Sequence, residues 1–143
     1  MKTSRRHARE DALKILFQFE WDNELTVETA LARFEVCFRQ SETPVSEFAQ
    51  SLVRGVASNR AAIDDAIRAI SSNWRPDRMP KVDRNVLRLG TYELMFRDDI
   101  PATVTINEMV ELARAYGNEN SPSFINGVLD KLKNHHPRPE KAP

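Results

Sequence analysis

Apolar residues recur along this chain at helical spacing, and no segment shows the period-two alternation of a half-buried strand. Ala8, Ala12, Ile15, Leu16 and Phe19 follow i, i+4, i+7, i+8 and i+11, one stripe of a first helix. Leu13 and Phe17 fall off that stripe and give the helix a second apolar face. Thr26 reads as the N-cap of a second helix through Leu31, Phe34 and Phe38, and Ser41 to Pro44 as a loop. Ser46 then caps a long stretch through Phe48, Leu52, Val56, Ile63, Ile67 and Ile70, broken near Gly55 to Asn59. Trp74, Pro76 and Pro80 make 73–82 the clearest internal boundary.

The next helix, Asp83 to Phe96, carries Val86, Leu87, Leu89, Tyr92, Leu94 and Met95 around most of its circumference. A helix apolar on most sides is a central one. Gly90 within it costs about 1 kcal/mol relative to alanine, which points to a neighbour packed close at that position. Thr105-Ile106-Asn107-Glu108 has the form of a capping box, with Val104 and Met109 as its staple. That helix is expected to bury Met109, Leu112, Ala113 and Tyr116 and to stop at Gly117 in a left-handed cap. Ser121 reads as a further N-cap with Pro122 at the first helical position, and Ile125, Val128, Leu129 and Leu132 form the inward stripe of the last helix. The tail from His135 to Pro143 holds three prolines and is expected to be disordered. These patterns predict an all-α protein with one domain over 1–143, its helical subdomains spanning about 4–72 and 83–133.

Composition narrows the chemistry. The 143 residues suffice for a core without staples, and Cys37, the single cysteine, sits in the apolar run Phe34 to Phe38, where a buried inert thiol is expected. No stretch approaches the roughly 18–20 apolar residues of a membrane span, and the charged first helix lacks a secretory signal's apolar segment, so a cytoplasmic protein is expected. His7, His135 and His136 have no spaced carboxylate that marks a general base, and the glycines at 55, 90, 117 and 127 form no phosphate loop. Asp64–Asp65 and Asp98–Asp99 are adjacent pairs that point different ways on a helix or lie in a loop. No catalytic residue, metal site or cofactor is therefore expected.

Charge supplies the positive clue. The 21 basic and 21 acidic residues balance, yet the first nine residues hold Lys2, Arg5, Arg6 and Arg9 and no acid. Residues 10–53 carry nine acids and three bases, and residues 54–97 carry nine bases and five acids. A neutral protein has no general attraction for a polyanion; a local cluster gives it one place to neutralise phosphates. Arg5, Arg6 and Arg9 fall on a short helical arc, and guanidiniums both pair with phosphate and stack on bases. Lys2 and His7 extend the patch. Positive charge at a helix N-terminus opposes the dipole, so three arginines there argue for a ligand that offsets them. Phe124 and Asn126 form a second candidate RNA patch near the start of the last helix, where a ring can stack on a base.

Three blocks together resemble the NusB family of transcription antitermination factors. They are Arg5-Arg6-x-Ala8-Arg9-x-x-Ala12 with Leu16; Asp83-Arg84-x-Val86-Leu87-Arg88-Leu89-x-x-Tyr92-Glu93-Leu94; and Pro101 through Ile106-Asn107-Glu108-x-Val110-Glu111-Leu112-Ala113 to Phe124-x-Asn126-Gly127-Val128-Leu129-Asp130. The resemblance implies a NusB-like bundle of about seven helices in two packed subdomains, without enzymatic activity. It implies pairing with the small-subunit ribosomal protein that acts as NusE, and binding of the boxA element in nascent ribosomal RNA. RNA polymerase with other Nus factors then reads through terminators, and some members self-associate as homodimers that hide the RNA surface. It places Asp83 and Arg84, with Arg78 and Trp74 as further candidates, at the NusE-contacting surface. The same fold also serves as the RNA-targeting domain of certain rRNA cytosine methyltransferases, an alternative for which these residues leave no room for a catalytic domain.

One departure has a consequence for affinity. Asn120 stands where relatives often carry an acid, and an amide repels phosphate less than a carboxylate does. Asn120→Asp is expected to weaken RNA binding relative to wild type at fixed salt, measured by titration; equal affinities would remove the residue from the site.

Overall fold

The computed structural model describes residues 4–22, 24–37, 45–71 and 75–135. Lys2, Phe38, the Ser41 to Pro44 loop, Trp74, His136 and the following tail, and the side chain of Cys37, lie outside the described residues. The described residues form seven α-helices, two short 3-10 turns and no strand: α1 (Arg5–Phe17), α2 (Val27–Cys37), α3 (Glu47–Ser58), α4 (Arg60–Ile70), α5 (Lys81–Phe96), α6 (Ala102–Tyr116) and α7 (Ser121–His135). None of these helices is long and apolar enough to cross a membrane.

Local chemistry sets the starts of the first three helices. Ser4 Oγ accepts from the His7 amide at 3.1 Å, Thr26 Oγ1 from the Thr29 amide at 3.1 Å, and Ser46 Oγ from the Ala49 amide at 3.1 Å. Each hydroxyl satisfies an amide that the first turn leaves unpaired. The expected break between α3 and α4 falls at Asn59, whose φ of −116° and ψ of 19° leave the helical region.

The chain divides into two compact units, Met1–Ser58 and Asn59–Pro143. The boundary is therefore not the proline-rich 73–82 segment: α4 packs on α5 and α7 and belongs with them. In the first unit, α1 packs on α2 and α3, and the residues these helices bury include Ala8, Ala12, Ile15, Phe34, Leu52 and Val56. Leu13 of the second apolar face expected of α1 is buried, while Phe17 on that face and Phe19 at the end of the main stripe are only half-buried.

In the second unit, α5 is enclosed by α4, α6 and α7, as its all-round apolar pattern requires. Gly90 has the close neighbours its position predicts. A Cβ there would lie 2.8 Å from Leu129 Cδ1 and 3.0 Å from Met109 Cγ, below ordinary contact.

Three buried polar groups on α5 each reach a different neighbouring helix. Arg88, 3% exposed, forks onto Asp64 of α4 through Nε at 2.9 Å and Nη2 at 3.1 Å. Glu93, fully buried, accepts from Thr105 Oγ1 of α6 at 2.7 Å. Asp83, 5% exposed, accepts from Ser121 Oγ of α7 at 2.6 Å. A buried charge is tolerated only when such partners replace its water.

The α6 and α7 starts differ from the pattern read in the sequence. α6 begins at Ala102, three residues before the expected cap, so Thr105 sits inside the helix and turns its hydroxyl to Glu93. Val104 and Tyr116 are exposed and contribute neither a staple nor core. Gly117 has φ −96° and ψ −166°, an extended conformation instead of a left-handed cap. Its lack of a side chain matters for space: a Cβ would meet Ser121 Oγ at 2.5 Å and Cβ at 2.7 Å. Ser121 is the first helical residue and not the N-cap, because its hydroxyl is engaged by Asp83 and the Asn118 amide.

Thr105→Val keeps the shape and removes the donor to Glu93. It is expected to lower unfolding stability by about 1–3 kcal/mol, the cost of a buried acceptor losing a partner, as read by denaturant titration.

Candidate nucleic-acid interface

Sequence alone puts three arginines, a lysine and a histidine at one end of α1, and the structure sorts the described ones into different roles. Arg5, Arg6 and His7 are exposed on the first turn. Arg9 is 2% exposed, which takes it out of the solvent-facing arc expected for it. The reason is packing: α1 lies on α3, and the Arg9 guanidinium sits over the Phe48 ring with Cζ 5.1 Å from its centroid. Arg5, one turn earlier, lies over the same ring at 4.3 Å. Phe48 is half-buried and is the second residue of α3, after its Ser46 cap. Sequence periodicity marks Phe48 as apolar, but its contact with a helix forty residues earlier is tertiary and leaves no local signal.

His7 corrects a second expectation. Its Nδ1 lies 3.8 Å from Glu10 Oε1 and its Nε2 3.7 Å from Asp11 Oδ1, both on α1. The i+3 and i+4 spacings put those carboxylates beside the ring. The histidine remains exposed, so the pair is a surface contact on a basic end and builds no enclosed catalytic cavity.

The second patch lies in the other unit. Phe124 is 41% exposed and lines a shallow cleft of about 310 Å³ with Ile70, Ser71, Ser123, Gly127, Val128 and Lys131. Asn126 is exposed but is absent from that lining, because two residues along a helix turn a side chain to another face. The structure thus does not bring Phe124 and Asn126 to one spot. Lys131, two turns beyond Phe124, is the cation that does share its cleft. Periodicity places 124, 127, 128 and 131 on one face, so this grouping was readable from spacing.

The residues expected at a protein partner's surface also separate. Asp83 is buried, and its carboxylate ties the start of α5 to the α6–α7 turn, where Asn118 Oδ1 further accepts from the Asn120 amide at 2.8 Å. It faces inward and offers a partner little. Arg84 is half-buried and donates from Nη1 to the Pro76 carbonyl; burial, then the nearby Arg88 cation, lowers its pKa from the ordinary arginine value. Arg60 is lowered by the same two causes in the same order, with Asp64 at 3.6 Å opposing the shift. Arg78 is exposed in the 3-10 turn Pro76–Arg78. Asp64 and Asp65 point apart, Asp64 to Arg88 and Asp65 to Arg68 at 2.8 Å, whereas Asp98 and Asp99 lie in the turn after α5. Among the described residues no group of three or more His, Cys, Asp or Glu side chains is placed to hold a metal ion.

Comparison with known proteins gives these surfaces a context. A family model described as the NusB family matches residues 6–134. The transcription antitermination protein NusB of Anaeromyxobacter dehalogenans is 52% identical over 132 residues, 92% of this chain and 92% of its own. That of Myxococcus xanthus is 45% identical over 131 residues, 90% of this chain and 94% of its own. Among solved structures, T. maritima NusB is 40% identical with a TM-score of 0.85, covering 99% of this chain and 98% of that one. A chain from a crystal structure of the antitermination factors NusB and NusE in complex with dsRNA is 28% identical with a TM-score of 0.77, covering 92% and 96%.

Ser121→Ala removes the hydroxyl that donates to buried Asp83. The variant is expected to lose about 1.5–3 kcal/mol of unfolding stability, the usual worth of a hydrogen bond to a charged group, while its far-ultraviolet circular dichroism stays helical.

Proposed function

The chain belongs to the NusB family, and from that premise we propose that it is an RNA-binding antitermination factor. Its first α1 turn grips the backbone of single-stranded boxA-type RNA in nascent ribosomal transcripts. It works with the ribosomal protein that acts as NusE, and with RNA polymerase and other Nus factors, in the cytoplasm. It binds its RNA without altering it. The observation that carries the reading is the exposed Arg5, Arg6 and His7 turn, in which Arg5 is held over an aromatic ring. Positive charge at the positive end of a helix dipole is unfavourable by about 0.3–1 kcal/mol per charge, so a phosphate bound there gains from the dipole as well as from bidentate pairing with guanidiniums.

Phe124 and Lys131 support a second contact, a ring for a base and a cation for the adjoining phosphate. Exposed Arg78 and half-buried Arg84 remain candidates for the NusE surface, with Asp83 acting behind them by fixing the α5 start. A homodimer that covers the α1 end would be an inactive form. The dsRNA in the related complex gives duplex RNA a specific claim as a second ligand; single strands are favoured here because an exposed ring can stack only on an unpaired base.

The test is a titration of labelled boxA-type RNA, single-stranded and duplex, with and without NusE, over a range of salt. Arg5→Ala and Arg6→Ala are each expected to weaken binding and flatten the log–log salt slope by about 0.7 per lost phosphate contact. Arg9→Ala is expected to act chiefly on unfolding stability, because its side chain is inside. Unchanged affinity and slope in the Arg5→Ala, Arg6→Ala double variant would contradict the reading.

A further inference from the structure

We propose that Phe48 is a positioning residue of the RNA-binding end, setting the Arg5 guanidinium in the orientation that receives phosphate; this rests on the function proposed above. Phe48 is the second residue of α3, and its ring carries two guanidiniums, Arg5 at 4.3 Å and Arg9 at 5.1 Å. The two arginines are one turn apart on α1, so the same ring meets both from a neighbouring helix. Arg9 is buried there and anchors the contact; Arg5, at the exposed edge, is the member within reach of a ligand.

The choice of an aromatic partner has a chemical consequence. An aromatic face attracts a cation through its quadrupole and limits the orientations the guanidinium samples. A guanidinium pairs with two phosphate oxygens through N–H groups in its own plane, so fixing that plane favours the pairing. The ring also removes rotamer freedom from a long side chain before RNA arrives, so less ordering is left for the binding step. A leucine at the same place would pack against the arginine stems but would do neither.

Three folded proteins distinguish this from simple packing: wild type, Phe48→Leu and Phe48→Tyr, titrated with single-stranded boxA-type RNA at several salt concentrations. Phe48→Leu is expected to bind about threefold to tenfold more weakly, in line with the loss of a cation–π contact and its preordering, with a flatter salt slope. Phe48→Tyr, which keeps the ring, is expected to match wild type in both. Equal affinity and slope for the leucine variant, or equal impairment in the tyrosine variant, would overturn the proposal while leaving RNA binding itself intact. Wild-type protein that binds no RNA would instead overturn the function on which it rests. Should Phe48→Leu fail to fold, the wild-type arginine side chains decide: Arg5 protons shifted upfield by the ring support the stack, and ordinary shifts refute it.

Discussion

Helix α5 cannot face water on any side for much of its length, and the second unit is arranged around that constraint. Its apolar residues need α4, α6 and α7, and hydrophobic burial alone would allow these to slide along it. Polar groups give the arrangement its register. Arg88 takes Asp64 of α4, Glu93 takes Thr105 of α6, and Asp83 takes Ser121 of α7. Each pairing carries a group that is costly to bury alone, so a slip of one helix would strand a charge. Gly90 adds a steric setting to the same register, because Leu129 and Met109 occupy the space a side chain would need.

The first unit solves a different problem. Cations at the start of α1 oppose the helix dipole, yet Arg5 and Arg9 are steadied by the Phe48 ring and Ser4 caps the turn they occupy. The outcome is a helix end that is ordered by packing and by its cap while Arg5, Arg6 and His7 stay exposed. A ligand meeting a side chain already ordered in this way costs less conformational entropy to bind. Family membership and this geometry are the two supports of the proposed RNA-binding role.

Much of the fold was legible in the sequence because it rests on local rules. Helical spacing locates the seven helices of the described residues, and the Thr26 and Ser46 caps fall where hydroxyls precede apolar stripes. The misreadings share one cause, tertiary competition for a side chain. Thr105 resembles an N-cap until Glu93 claims its hydroxyl, and Ser121 does so until Asp83 claims it. Gly117 resembles a left-handed cap, but what it provides is clearance for Ser121. The unit boundary was misplaced because prolines mark a chain break, whereas α4's packing on α5 and α7 decides membership. At the candidate site, charge pattern identified the α1 end; burial of Arg9, the Phe48 platform and the inward turn of Asp83 depend on partners distant in the chain.

In the proposed role, RNA is held at the ordered start of α1. Nuclear magnetic resonance of isotope-labelled protein titrated with single-stranded boxA-type RNA tests it most directly. The largest shift changes are expected on the Ser4 to Arg9 amides and on the Arg5 and Arg6 side-chain Nε–H signals. Saturable binding with those signals unmoved, and changes confined to other helices, would contradict it.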